Sequence, residues 1–354
     1  MSNQEKRMRP PAQTIERQLM GSVNFNDVLT LQKRVDQDGE DWVSVCEELG
    51  DKNRAYAMEQ LELNRKQTAI FFLQSAQALY RIGNYGLVGM TDEKMRIHTK
   101  SVECCKLAGT LYDTPWEEVK IPYDGFDMLG YIIKPDHMKP LTPIVIMIPG
   151  GTGWKEEMVK HSELIKSRGC AVLLIDGPGQ GSTLYYNNGS MKIEIEEAYS
   201  TMVDYLEKDG RFGNIGIMGS STGGYYVARA AATDKRLKAC VINGGSYHPE
   251  EILDCSPIYT KKFAINFGVS EEEMTDIFPK MNLENLADKI ECPLLIMNGD
   301  ADFIFTPESS KRIYNEAKSE DKTLILYPGA HHCNDEYACE CFQLAADWLW
   351  EKLH

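Results

Sequence analysis

The stretch Ile215-Gly-Ile-Met-Gly-Ser-Ser-Thr-Gly-Gly224 carries an apolar run through Gly219-Ser220-Ser221-Thr222-Gly223 and straight into a helix-forming segment, Tyr225 to Ala232. A serine held on a sharp turn between strand and helix needs neighbours without bulk two positions to either side, since side chains there would keep the turn from closing. Strand before and helix after therefore mark Ser221 as a candidate nucleophile. The plainer reading, a glycine-rich turn with an incidental serine, has to be weighed against the partners found elsewhere in the chain.

Outward from this turn, apolar runs alternate with amphipathic helical stretches from Pro143 onward. The runs are Pro143 to Ile148, Ala171 to Ile175, Ile215 to Met218, Ala239 to Asn243, Leu294 to Met297 and Thr323 to Tyr327. Between and after them lie Glu156 to Arg168, Ile193 to Lys208, Gly224 to Ala232, Pro307 to Ala317 and Glu340 to Leu353, each with helix-spaced apolar residues. That order builds an α/β fold, a mostly parallel twisted sheet with helices on both faces. Upstream, Glu118 to Tyr123 and Met128 to Lys134 flank Asp124-Gly125, which reads as a hairpin at the sheet edge. Between Ser246 and Asp288 the strand rhythm breaks, and Glu250 to Asp254, Pro257 to Phe267 and Glu271 to Phe278 read as short helices. An insertion there falls above the carboxyl ends of the strands, where such sheets bind ligands.

The first ~115 residues have a different texture, rich in long polar side chains and helical spacing. In Lys66 to Ile82, for instance, Ile70, Phe72, Leu73, Ala76, Leu79 and Tyr80 fall close to one face. Residues 1–115 are therefore read as a helical cap or lid and 116–354 as a catalytic domain with a helical insertion at about 246–288; a helical dimerisation or solubility domain is the alternative for the first part. With 354 residues, the chain exceeds what one core usually organises, about 250 to 300 residues.

A formal charge of −15 repels nucleic acid and anionic membrane surfaces, so neither is expected as a partner. The opening Met1-Ser-Asn-Gln-Glu-Lys-Arg7 has no apolar core for export, and no run approaches the ~18 to 20 apolar residues of a membrane span, which predicts a cytoplasmic protein. In that compartment the ten cysteines are expected as reduced and mostly buried thiols. The group His331, His332, Cys333, Cys339 and Cys341 lacks paired C-x2-C spacing, and Cys339 and Cys341 lie two apart in a helical segment, pointing apart; no metal is assigned. Asp176-Gly-Pro-Gly-Gln-Gly181 superficially matches a dinucleotide loop, but its spacing is wrong and Ser182-Thr-Leu-Tyr-Tyr-Asn-Asn-Gly189 is a poor helix start. It is read as a structural loop, with no cofactor.

A serine hydroxyl is a poor nucleophile at neutral pH and needs a base, and the base needs an orienting group. After Leu294 to Met297 comes Asn298-Gly-Asp-Ala-Asp302. Asp302 is preferred to Asp300 as the acid, because the position next to the strand is consumed by the turn while the later one projects above the sheet. After Thr323 to Tyr327 comes Pro328-Gly-Ala-His-His-Cys333, and local sequence leaves both His331 and His332 open as the base. Backbone donors for a developing oxyanion are expected from the amide of Thr222, next after the nucleophile, and from the loop Pro149-Gly-Gly-Thr-Gly153, with Gly151 preferred.

Taken together, Pro149-Gly-Gly, Lys155-Glu-Glu157, Asp176-Gly-Pro-Gly-Gln-Gly181, Gly219-Ser-Ser-Thr-Gly-Gly224, Asn298-Gly-Asp-Ala-Asp302, His332-Cys333 and Ala346-Asp-Trp-Leu349 resemble one branch of the α/β-hydrolase fold. That branch holds 2,6-dihydropseudooxynicotine hydrolase, the fungal polyketide-shortening hydrolases and the FrsA-like esterases. The resemblance runs from near Thr68 to the C-terminus. It implies an α/β-hydrolase fold with a helical N-terminal cap, no metal or cofactor, a possible homodimer, and cleavage of carbon–carbon bonds beside a ketone in some members and of esters in others. It also carries Ser221, Asp302 and His332 over as nucleophile, acid and base; His332 is taken over His331 because the family histidine precedes a cysteine and keeps this spacing to Ala-Asp-Trp. A glutamate of the nicotine-pathway enzyme falls at Cys255 here, a departure that puts that substrate in doubt, and Glu250, Glu251 and Asp254 are the nearby acids. The expected substrate is a small carbonyl compound, a β-diketone or acyl-aromatic. Ester or lactone hydrolysis, acyl transfer or cyclisation, and non-catalytic binding are the alternatives.

Overall fold

The computed structural model describes residues 7–354, so the polar opening read above for a missing export signal lies, except for Arg7, outside the described residues. Two compact units divide the chain, Met1–Trp116 and Glu117–His354.

The first unit is helical: α1 (Ile15–Met20), α2 (Phe25–Leu31), α3 (Trp42–Glu62), α4 (Lys66–Tyr85) and α5 (Asp92–Leu111). Four of these begin at a side chain that takes up an otherwise orphaned amide: Thr14, Asn24, Asp41 and Thr91 accept from Arg17, Asp27, Ser44 and Lys94. Each such cap contributes about 1 kcal/mol. Helix α4 packs against both α3 and α5, and its predicted apolar face is the buried one: Ile70, Leu73, Ala76, Leu79 and Tyr80 are buried and Phe72 packs at the margin. Trp42 is enclosed, and its indole N–H donates to the Ile82 carbonyl at 3.0 Å, which satisfies its one polar atom.

In the second unit, the apolar runs Pro143 to Ile148 and Ala171 to Ile175 can be satisfied only within inner strands covered on both sides. Thr142–Ile148 (β3) and Ala171–Asp176 (β4) are accordingly buried along their whole length. With β1 (Glu117–Tyr123), β2 (Phe126–Ile133), β5 (Phe212–Ser220), β6 (Leu237–Asn243), β7 (Leu294–Gly299) and β8 (Lys322–Tyr327) they form one sheet of order β1-β2-β4-β3-β5-β6-β7-β8. The β1–β2 and β2–β4 pairs are antiparallel and the other five parallel. Helices α6 (Val159–Ser167), α7 (Gly181–Asn187), α8 (Glu196–Asp209), α9 (Thr222–Thr233), α10 (Ile258–Phe267), α11 (Glu271–Ile277), α12 (Pro307–Glu316) and α13 (Ala338–Leu353) complete it, with α10 and α11 in the insertion after β6. Among the described residues no helix is long and apolar enough to cross a membrane.

Helix α7 corrects the sequence reading, which left Ser182 to Gly189 outside any helix. Its start is capped from a distance in sequence: the Asp176 carboxylate accepts from the Ser182 amide at 2.8 Å and the Asp176 carbonyl from the Thr183 hydroxyl at 2.7 Å. A cap six residues upstream leaves no local signature.

Candidate active site

Ser221 sits where β5 turns into α9, with φ 59° and ψ −132°, a conformation that costs an L-residue roughly 1–3 kcal/mol. The surroundings impose it. Its amide donates to the Asn243 carbonyl at 2.9 Å and its carbonyl accepts from Gly224 at 2.7 Å. The two flanking glycines are required: a Cβ on Gly219 would strike the Gly223 backbone, and one on Gly223 would strike the Pro149 carbonyl. The turn thus brings the end of β3 against the start of α9.

The Ser221 hydroxyl donates to His332 Nε2 at 2.8 Å, and His332 Nδ1 donates to Asp302 Oδ2 at 2.9 Å. A carboxylate only accepts, so Asp302 fixes the proton on Nδ1 and leaves Nε2 as the acceptor for Ser221. The Asp302 side chain is fully buried, and its second oxygen accepts from the amides of Ile304 (2.8 Å) and Phe305 (3.0 Å). Burial alone would lower the His332 pKa; the Cys333 sulfur and the Asp302 carboxylate outweigh it and hold the ring well above its ordinary 6.5. Such a chain can move the serine proton to the ring and return it to a leaving group.

The other candidates are placed elsewhere. Asp300 is exposed and accepts from the Gly329 amide at 2.6 Å, inside the turn. His331 pairs with Glu336 at 2.6 Å. Glu251 is engaged by the Thr306 amide at 3.0 Å and by Ser246 and Ser309, tying the insertion to the loop after β7. Glu250 and Asp254 are exposed. Cys255 gives its thiol to the Phe303 carbonyl at 3.2 Å; burial raises its pKa, against the pull of nearby His332. Among the described residues no three His, Cys, Asp or Glu side chains are grouped to hold a metal ion.

On the opposite side of Ser221, Gly150 lies so close that a Cβ there would stand 3.2 Å from the Ser221 Cβ. The amides of Gly151 and Thr222 donate to no backbone acceptor among the described residues, and the Thr222 hydroxyl is buried with no hydrogen-bond partner. Behind this loop, two motifs distant in sequence meet. Lys155 Nζ lies 2.8 Å from Asp176 and 2.9 Å from Glu156, with all three side chains at most 2% exposed. The Lys155 amide adds a 2.7 Å bond to Asp176. Burial and the Asp176 charge push the Glu156 carboxyl up, against the pull of Lys155.

Asn243 went unread in the sequence. Its carbonyl holds the Ser221 amide, while its buried side chain donates to the Cys333 carbonyl at 3.1 Å and accepts from Asn334 at 2.8 Å. It fastens the serine turn to the histidine loop. The only signal was a polar residue closing an apolar run.

A mostly parallel eight-stranded sheet with this strand-to-helix serine turn defines an α/β-hydrolase, and the chain is an enzyme of that class. It belongs to the prolyl oligopeptidase family, whose model matches residues 157–354. It is 26% identical to 2,6-dihydropseudooxynicotine hydrolase of Paenarthrobacter nicotinovorans, across 95% of this chain and 91% of the relative. It is also 26% identical to the 20-hydroxy-prefusarin hydrolase FUS2 of Gibberella moniliformis, across 82% of each. The crystal structure of the 2,6-dihydroxy-pseudo-oxynicotine hydrolase superposes with a TM-score of 0.86 at 25% identity, covering 96% of both chains.

Proposed function

We propose that this α/β-hydrolase is a serine hydrolase that cleaves a carbon–carbon bond beside a carbonyl, in a β-diketone or acyl-aromatic compound. The observation that carries the serine reading is the unbroken hydrogen-bonded chain from Ser221 through His332 to buried Asp302. Ser221 Oγ attacks the carbonyl carbon as its proton passes to His332 Nε2, and the charge that develops on oxygen is met by the amides of Gly151 and Thr222. Collapse of the tetrahedral adduct breaks the bond to the leaving carbon, which takes the electron pair and then a proton from His332 Nε2. Water then attacks the acyl-serine, gives a proton to His332, and releases the carboxylic acid with Ser221 restored.

Carbon–carbon cleavage is supported by the likeness to 2,6-dihydropseudooxynicotine hydrolase, which extends over nearly the whole chain, beyond the hydrolase unit. Ester or lactone hydrolysis is the second reading: Glu251 is engaged by Thr306, Ser246 and Ser309 in holding a loop, and an ester needs no further acid for its leaving group.

Mass spectrometry of products from β-diketones and aryl esters in oxygen-18 water separates them. Diketone cleavage with label in the new carboxylate, absent in Ser221→Ala, is the expected result. Turnover of esters alone would replace it with the second reading, and turnover unchanged in Ser221→Ala would remove both.

A further inference from the structure

In Asp176-Gly-Pro-Gly-Gln-Gly181 the aspartate caps α7 and joins the buried cluster, and the glutamine does something separate. Gln180 is 1% exposed, and both hydrogens of its carboxamide are spent on main chain: Nε2 donates to the Pro149 carbonyl and to the Gly150 carbonyl, each at 3.0 Å. Its Oε1 accepts from the Gly177 amide at 3.0 Å. The group has one orientation, since reversal would face its oxygen with two carbonyl oxygens. The next carbonyl along, that of Gly151, accepts from Asn266 Nδ2 at 2.5 Å. Asn266 is also buried and comes from α10 in the insertion. Two carboxamides thus take three successive carbonyls of the loop that passes Ser221.

We infer that Gln180 and Asn266 are positioning residues that set the direction of the Gly151 amide by holding the carbonyls on either side of it. This rests on the reading of Ser221 as nucleophile and Gly151 as oxyanion donor. A trans peptide is planar, so the Gly150 carbonyl and the Gly151 N–H point to opposite sides of one plane. Fixing that oxygen on Gln180 fixes the N–H away from it. The Gly150 carbonyl also accepts from the Gly153 amide at 3.1 Å, so Gln180 shares its hold with the loop's own turn; one backbone bond leaves a Pro-Gly-Gly segment freer to shift its peptides than the clamped loop, since glycine accepts both hands of backbone. An oxyanion donor is effective to the degree that it is already aimed before charge develops. Asn266 makes this alignment depend on the insertion: α10 also places Phe263 where a Cβ on Gly151 would come within 2.6 Å of its ring. The insertion is thereby joined to the loop that passes Ser221.

The test compares kcat and KM on an activated aryl ester with the affinities of a trifluoromethyl ketone and its methyl ketone counterpart. The first ketone forms a serine adduct whose oxygen is charged; the second reports binding alone. Gln180→Met and Asn266→Leu should each lower kcat and the trifluoromethyl ketone affinity together, by about 10- to 100-fold, less than the loss of a donor outright. KM and methyl ketone affinity should stay within about threefold. Equal losses for the two ketones, or unchanged kcat in both variants, would overturn the inference. Should Gln180→Met fail to fold, Asn266→Leu decides it alone by the same readouts. Full activity in Ser221→Ala would remove the parent reading instead; failure of the clamp alone shows Ser221→Ala inactive and both clamp variants unimpaired.

Discussion

The two flanks of Ser221 are built on different principles. On the side of β7 and β8, side chains with ionisable groups do the work: His332 bonded to the serine, Asp302 bonded to His332, and the Asp302 carboxylate pinned by two amides. On the side of β3 and β4 the groups facing the serine are backbone, and the side chains stand behind them, as Gln180, Asn266 and the Lys155–Asp176 pair do. In the proposed mechanism the first flank moves a proton, so its residue types are dictated by chemistry, and the second holds a fixed dipole, so residue type matters only for how well a loop is held. Loss of a side chain on the first flank should therefore abolish the reaction, and loss on the second should misalign it.

The largest effects belong to the first flank. Ser221→Ala and His332→Ala should each reduce kcat by about a million-fold on any substrate the wild type turns over, measured by single-turnover assay. Asp302→Asn should cost about 10,000-fold, because the wrong tautomer of His332 is then favoured. The pH dependence follows from the same contact. The base must be neutral, and its folded pKa lies above 6.5, so activity should rise with pH and reach its half-point above 6.5; a half-point below 6.5 would contradict the Asp302–His332 geometry. The same raised pKa adds stability that is fully present below about 6.5 and fades as pH rises through the folded value.

On the second flank, the buried Lys155–Asp176 pair should respond mainly in stability. Lys155→Met leaves Asp176 buried without its cation, and denaturant unfolding should show a loss of about 3–5 kcal/mol. The smallest effects sharpen the boundary of the first flank. His331→Ala, which removes the partner of Glu336, and Asp300→Asn, which removes a charge but keeps an acceptor for the Gly329 amide, should change kcat/KM by less than about threefold; a large loss in either would mean that the acid or base had been misassigned.

How much of this was legible follows the same division. The sheet and its elbow were legible because inner strands must be apolar on both faces and a serine turn must have glycines beside it. The chemistry of the β7–β8 flank narrowed the acid to Asp300 or Asp302 and the base to two histidines, and the geometry joins Asp302 and His332 to Ser221. What the sequence could not display were partnerships whose members are far apart in the chain. Asp176 caps α7 and pairs with Lys155, Asn243 links the serine to the histidine loop, and Glu251 ties down the loop after β7. Each is a polar residue whose role is set by a backbone group dozens of positions away or by a turn that local spacing does not reveal.

The central claim is that Ser221 is the nucleophile made reactive by His332. Intact-mass and peptide mass spectrometry after exposure to a fluorophosphonate tests it most directly, on the wild type, Ser221→Ala and His332→Ala. A single adduct on Ser221 in the wild type, absent in Ser221→Ala and greatly slowed in His332→Ala, is the predicted result. An adduct on another residue, or labelling that persists at the wild-type rate without Ser221, would contradict it.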